Sequence, residues 1–270
     1  MLRFFRQVRE RLLNDNPPDQ PSQAGKFGKY LLYATGEIFL VVIGILIALQ
    51  IDNWNEERRI ENSIRSHLAV LRQNLQEDQT QLRELRATMA SNLQDADSAL
   101  LQMRTQAPLD KNLKKQLLIL LLEHGFSPNK NAFETITQSN EIPFLAQDLQ
   151  TAVLNYYALI ERTNEREYIS NTQLQSKYEP YIIEHYPELF QKDNSWEFIR
   201  NEYRDDPRPI VKITPDKFLA DRTLETLLVS RYYQCVQLEQ FYADLLNSSD
   251  IILGLIRETL ADPENQMAYD

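Results

Sequence analysis

Apolar positions recur at helical spacing along most of this chain, and one stretch near the N-terminus is apolar all round. In GEIFLVVIGILIALQIDNWNEERR, residues 36–59, the segment Ile38–Ile51 carries no charge. Read back to Tyr30, the stretch as far as Gln50 is interrupted only by Glu37. Each large apolar residue contributes about −0.3 to −0.6 kcal/mol to insertion, so twelve Leu, Ile, Val and Phe outweigh one off-centre acid costing at most about 3 kcal/mol. The pattern predicts a transmembrane helix over residues 30–51, long enough for the roughly 30 Å hydrocarbon layer. Tyr30 and Tyr33 at one end and Trp54 at the other are the expected interfacial anchors, because amphipathic rings favour the headgroup region. Gln-Ile-Asp-Asn-Trp follows the run and offers no small-x-small cleavage site, so the segment is expected to stay.

Beyond the span the periodicity becomes heptad-like. Leu68, Leu75, Leu82, Met89, Ala96 and Met103 recur every seventh residue, interleaved with Ile64, Leu71, Asp78, Leu85, Asn92 and Ala99. No proline intervenes between Pro21 and Pro108, and no glycine between Gly44 and Gly125, so one helix is expected over about 55–105. Asp78 and Asn92 lie on its apolar seam. There a polar group either fixes register and partner number or faces a gap or solvent. Such a helix cannot bury its stripe alone; it packs on the rest of the chain or on another copy.

Later segments read as further helices punctuated by proline. Leu113 to His124 is short and apolar, with Gly125 as its terminator, and Asn131 is a cap for the next short helix. Long helices are expected over about 144–179 and 221–260, the first interrupted by Pro180 and Pro187. Leu189 to Tyr203 forms another short piece, Ile210 to Ile213 is extended, and Thr214-Pro215 opens a helix. The predicted fold class is all-α: a transmembrane helix continuing into a long helix of an elongated antiparallel bundle outside the cytoplasm, residues 52–270.

The N-terminal flank sets the direction. MLRFFRQVRERLL, residues 1–13, is a basic amphipathic helix with Met1, Phe5, Val8 and Leu12 on one stripe. It either lies on an anionic leaflet or serves only as a topogenic basic segment. Residues 14–29 have linker composition. Six Lys and Arg precede the span, while Asp52, Glu56 and Glu57 come first after it, ahead of Arg58 and Arg59. The excess of Lys and Arg on the leading side places the N-terminus in the cytoplasm and the chain in the inner membrane as a single-pass protein. A cytoplasmic part this short holds no output domain, so an inward signal would need a partner.

Composition removes several functions. A net charge of −10 argues against nucleic-acid binding, which needs a basic excess. The single cysteine, Cys235, leaves no intramolecular disulfide and no cysteine-based zinc site. His67, His124 and His185 have no metal-ligand spacing, and six glycines leave little for phosphate loops or tight hairpins. No catalytic residue, metal or cofactor site follows from the sequence. Glu56-Glu57-Arg58-Arg59 and Glu165-Arg166-Glu167 read as solvated faces. Tyr156-Tyr157 and Tyr232-Tyr233 read as core with hydroxyls at the rim, and Cys235 as a small apolar residue. The one candidate interface is a stripe in the span, Glu37, Val41, Gly44 and Ala48, where small residues permit close helix contact and the carboxyl either meets a partner group or snorkels to the interface.

FFRQVRERLL, Gly28-Lys29-Tyr30, Gly36-Glu37, Val42 to Ile51 and Asn53-Trp54-Asn55 together resemble the N-terminal signature of an uncharacterised bacterial family of single-span membrane proteins, a domain of unknown function. Asn131 to Glu161 is similar to the family's downstream helix pair, with Gln138-Ser139-Asn140 where Ser-Gly is expected; asparagine also adopts the left-handed conformation such a turn needs. The resemblance implies placement without activity. The expected function is a non-enzymatic membrane-anchored scaffold or interaction protein of the cell envelope, in contact with the lipid bilayer and with a protein partner or a second copy. The alternative is a ligand-sensing bundle that signals through the span to a partner.

Overall fold

The computed structural model describes residues 23–191 and 208–261, with side chains from Ala34 onward. The basic segment 1–13, the start of the expected linker and most of the piece expected over 189–203 lie outside the described residues. Everything regular that is described is helical; no strand occurs among the described residues. Helix α1 spans Gln23–Thr105, starting inside the 14–29 segment, and is followed by α2, Leu113–Ile119, and α3, Asn131–Gln138. Next come α4, Gln147–Gln173, a π-helical turn, Leu174–Tyr178, and α5, Glu179–His185. After a 3-10 turn at Pro187–Phe190 the remaining described helices are α6, Pro215–Leu219, and α7, Arg222–Ala261. By its contacts the chain divides into two units, residues 1–61 and 62–270.

In the first unit the apolar helix is bare. Ile38, Phe39, Val41, Ile45, Leu46 and Leu49 are each more than half exposed. One helix among the described residues, near the N-terminus, is long and apolar enough to cross a membrane.

In the second unit the α1 seam is the spine of the core. Leu68, Leu71, Leu75, Leu82, Met89, Ala96 and Ala99 have no exposed surface. The seam feeds two apolar clusters. One joins Leu68–Met89 to Leu149, Val153 and Ile160 of α4 and to Leu238, Leu245 and Ile252 of α7. The other joins Ala96–Met103 to Leu113 and Leu117 of α2, Ile182 of α5, Phe218 of α6, and Leu224 and Leu228 of α7. Hydrogen bonds and ion pairs fix the register. Gln79 donates to Ser249 and Asp250 at 2.9 and 2.6 Å, Arg86 to Glu239 at 2.5 Å, and Arg104 lies 3.7 Å from Glu225. Along this seam residue numbers rise in α1 as they fall in α7. Between α1 and α4 they rise together: His67 meets Glu141 just ahead of α4, and Asp78 meets Tyr156 within it.

Several helix ends differ from the sequence reading for local reasons. α2 closes at Ile119, six residues before Gly125, and Gly125 has no positive φ. Asn131 is the first residue of α3 rather than its cap; the Asn129 side chain accepts the Asn131 N–H at 3.3 Å. α3 ends in a Schellman turn with Asn140 at φ 54°, so asparagine does take the left-handed position. The Asn140 N–H bonds to Thr137 O at 3.1 Å and the Glu141 N–H to Ile136 O at 3.0 Å, the pair that defines this turn. Pro180 does not stop the chain's helical course. Lacking an N–H and clashing with the carbonyl four residues back, it would break a regular helix. Here the turn before it widens, and the Glu179 N–H reaches Leu174 O, five residues back.

Candidate functional site

Between the two apolar clusters lies a layer of buried polar side chains. Glu167 on α4 is 6% exposed; it accepts the Tyr242 hydroxyl at 2.8 Å and the Phe126 N–H at 2.9 Å. Glu165-Arg166-Glu167 is therefore not a wholly solvated face. Glu167 continues the buried positions Val153, Tyr156, Ile160 and Thr163 and leads into Ser170 and Leu174, at alternating three- and four-residue steps. Burial raises its carboxyl pKa, against the lowering effect of those two hydrogen bonds. Asp78 and Asn92, the polar seam positions, face neither gap nor solvent. Asp78 accepts the Tyr156 hydroxyl at 3.1 Å and the Asn129 N–H at 2.9 Å, and burial raises its pKa. Asn92 is fully buried, with its amide nitrogen 3.3 Å from His124 Nε2. Tyr156 is core, as expected, but its hydroxyl ends on Asp78 in the interior rather than at the rim. Tyr157 stacks on Phe133, and Cys235 has no exposed surface. Tyr233 is 64% exposed and does not belong to the core.

Arg231 on α7 is the second residue that sequence reasoning missed. It is 2% exposed. Its Nη1 donates to Ser170 Oγ at 3.0 Å and to Gln234 Oε1 at 3.3 Å, and its Nη2 to Leu122 O at 3.0 Å. All these acceptors are neutral, and Nε is buried with no acceptor. A buried guanidinium without a carboxylate is costly to keep charged, since desolvation is offset only by dipoles; burial lowers its pKa accordingly. The phase signal was present: Leu224, Leu228, Arg231, Cys235, Leu238 and Tyr242 form one stripe.

Arg231 also walls a cleft of about 300 Å3. One side is the π turn, with Leu174, Lys177 and Tyr178; the other is α7, with Leu227 and Arg231. Thr226 and Ser230 stand at its exposed rim. The lining is chiefly hydrocarbon and includes two cationic side chains and no acid. π turns open a helix and recur at functional sites.

His124 sits on the edge of the polar layer, and its backbone carbonyl accepts from Asn171 at 2.9 Å. Burial first, and the Arg231 charge second, depress its pKa below 6.5. The Asn92 N–H facing Nε2 requires the neutral ring. The sign follows: the unfolded chain binds the proton more readily, so this contribution is complete above pH 6.5 and is lost as pH falls through the lower folded value. Raised carboxyl pKa values at Asp78 and Glu167 work oppositely, weakening the fold as pH rises. We expect His124→Gln to flatten the acid-side fall in thermal midpoint relative to the parent protein, measured by circular dichroism between about pH 6.5 and 5. An unchanged slope would mean that the ring titrates normally.

Two other groupings are structural. Glu141, 5% exposed, accepts from Ser63 Oγ at 2.7 Å and pairs with His67 Nδ1 at 2.6 Å. Serine, histidine and carboxylate meet, but the carboxylate sits between the other two, so no imidazole is placed to take the serine proton. Asp221 accepts both the Tyr181 and Tyr186 hydroxyls, at 2.8 and 2.7 Å, and the Leu224 N–H at the start of α7. Burial alone would raise its pKa; the hydrogen bonds together lower it.

The stripe predicted in the span is laid out along one helix. Glu37, Val41 and Ala48 are exposed, and a Cβ at Gly44 would meet nothing within 4 Å. Trp54 is 47% exposed, whereas the side chains of Tyr30 and Tyr33 lie outside the described residues.

These features define a protein whose described residues are all-helical, with one candidate membrane helix among them and a polar layer inside the helical core. Residues 37–181 match a family of unknown function (DUF6090), and the chain belongs to that family. The matched region supplies the π-turn wall of the cleft and Glu167; Arg231 and Tyr242 lie beyond it. No curated protein and no solved structure matches the chain.

Proposed function

We propose that this protein is a non-enzymatic, membrane-anchored scaffold or interaction protein of the cell envelope. Its N-terminus lies in the cytoplasm, a single helix over 30–51 crosses the inner membrane, and residues 52–270 form an antiparallel helical bundle outside. The observation that carries the reading is the contrast within one helix. From Ile38 to Ile51 every apolar side chain but the half-buried Ile43 is exposed, whereas from Leu68 onward the seam is covered by the chain's own helices. Bare apolar surface on this scale needs lipid or a partner to cover it. The opposed numbering along the α1–α7 seam supports antiparallel packing of that pair, beside which α4 runs parallel to α1, and the Lys and Arg excess ahead of the span supports the orientation. Within the span, Glu37, Val41, Gly44 and Ala48 form the contact stripe for a partner helix or a second copy.

The test is topological. Full-length protein is expected to stay in the membrane pellet after alkaline carbonate washing. Alkaline phosphatase fused after Asp270 is expected to be active, and green fluorescent protein at the same site dark. Release by carbonate, or the reverse reporter pattern, overturns the reading. A second reading, a ligand sensor signalling through the span to a partner, is favoured by the cationic cleft beside the π turn.

A further inference from the structure

We propose that the cleft between the π turn and α7 binds a small organic carboxylate, with its charge beside Arg231 and its apolar body between Leu174 and Leu227. The proposal stands on this cleft alone and uses neither the topology nor a protein partner. Its basis is a mismatch within the described residues. Arg231 is 2% exposed, and its acceptors are a hydroxyl, an amide oxygen and a backbone carbonyl, so no carboxylate balances the guanidinium. The surface beside it is open to the outside, adds Lys177 and contains no acid. Buried charges are ordinarily paired, and an opposite charge within about 4–6 Å stabilises the ionised form.

The remaining donor capacity indicates the kind of anion. Nη1 has two acceptors and Nη2 one, which leaves the Nε–H and one Nη2–H of the five guanidinium donors. Two remaining donors suit the two oxygens of a carboxylate better than the three of a phosphate dianion. Hydrocarbon from Leu174, Leu227 and the Tyr178 ring lines the rest, and about 300 Å3 holds a short aliphatic or aromatic body. The Gln234 amide, which donates to Gln173 Oε1, holds the rim between α4 and α7. The widened turn matters because it moves Leu174 to Tyr178 off regular helical phase and opens the space beside α7.

The experiment uses full-length protein in lipid nanodiscs, with unfolding followed by circular dichroism. Acetate, butyrate, hexanoate and benzoate are titrated at constant pH and ionic strength, with hexanol and inorganic phosphate as comparisons. At least one of the larger carboxylates is expected to raise the thermal midpoint saturably by about 4 °C or more. Hexanol and phosphate are expected not to. Arg231→Gln should abolish the rise. Because removal of this buried side chain can impair folding, Thr226→Trp, which fills the rim and leaves Arg231 in place, is the second variant and should also abolish it. No saturable rise with any of the four carboxylates overturns the proposal. So does an equal rise with hexanol or phosphate, or a full response from Thr226→Trp.

Discussion

Replacing Glu167 by alanine is expected to cost roughly 3 kcal/mol of stability or more, because it leaves two buried donors without an acceptor. The Tyr242 hydroxyl and the Phe126 N–H both end on Glu167 Oε1 in a site closed to solvent. Glu167→Gln keeps an acceptor oxygen of the same reach and resembles the protonated acid that burial favours. Its cost is expected to be about 1 kcal/mol or less. Denaturant titration of the full-length protein, monitored at 222 nm, measures both. If alanine and glutamine cost the same, the hydrogen bonds are not what this residue contributes.

Leu82→Ala should be of similar or larger effect. Leu82 lies on the α1 seam with no exposed surface, in the cluster that draws on α1, α4 and α7. Truncating such a side chain leaves a cavity that packed neighbours fill only partly, at a cost of about 2–5 kcal/mol. Leu101, on the same helix but 57% exposed, should cost under about 0.5 kcal/mol when changed to alanine. The Leu82→Ala loss is expected to be independent of protein concentration, since the seam is covered within one chain. A loss that shrinks with rising concentration would show that a second chain covers part of it.

The residues that were readable in advance share one property: their meaning is carried by neighbours three, four or seven positions away. The apolar span, the Leu68–Met103 seam and the stripe of the last long helix are all of this kind, and local periodicity reports them directly. Asn140 was readable too, because a left-handed turn residue has a short list of identities. What stayed hidden depends on distant partners. Asp78 owes its burial to Asn129 and Tyr156, at least 51 residues away, and Asn92 owes its own to His124. Glu167 stood in phase with apolar neighbours yet read as part of a solvated face, because its partners Phe126 and Tyr242 are distant in sequence. Arg231 stood in phase too, but of its acceptors only Gln234 is local, and Ser170 and Leu122 are not. The π turn had one cue, Pro180 inside a long helical pattern. A proline there more often ends or kinks a helix than widens the turn before it.

The order of segments along the chain has a consequence for biosynthesis. Helix α7 supplies residues to both apolar clusters, Cys235 to Ile256 in one and Leu224 and Leu228 in the other. It is also the final described helix to leave the ribosome. Until it emerges, the seam that begins at Leu68 lacks one wall along its length, and neither half of the interior can close. Nascent chains therefore carry a long greasy ridge through most of their synthesis, and quality-control factors that recognise such ridges have their opportunity before that last helix docks.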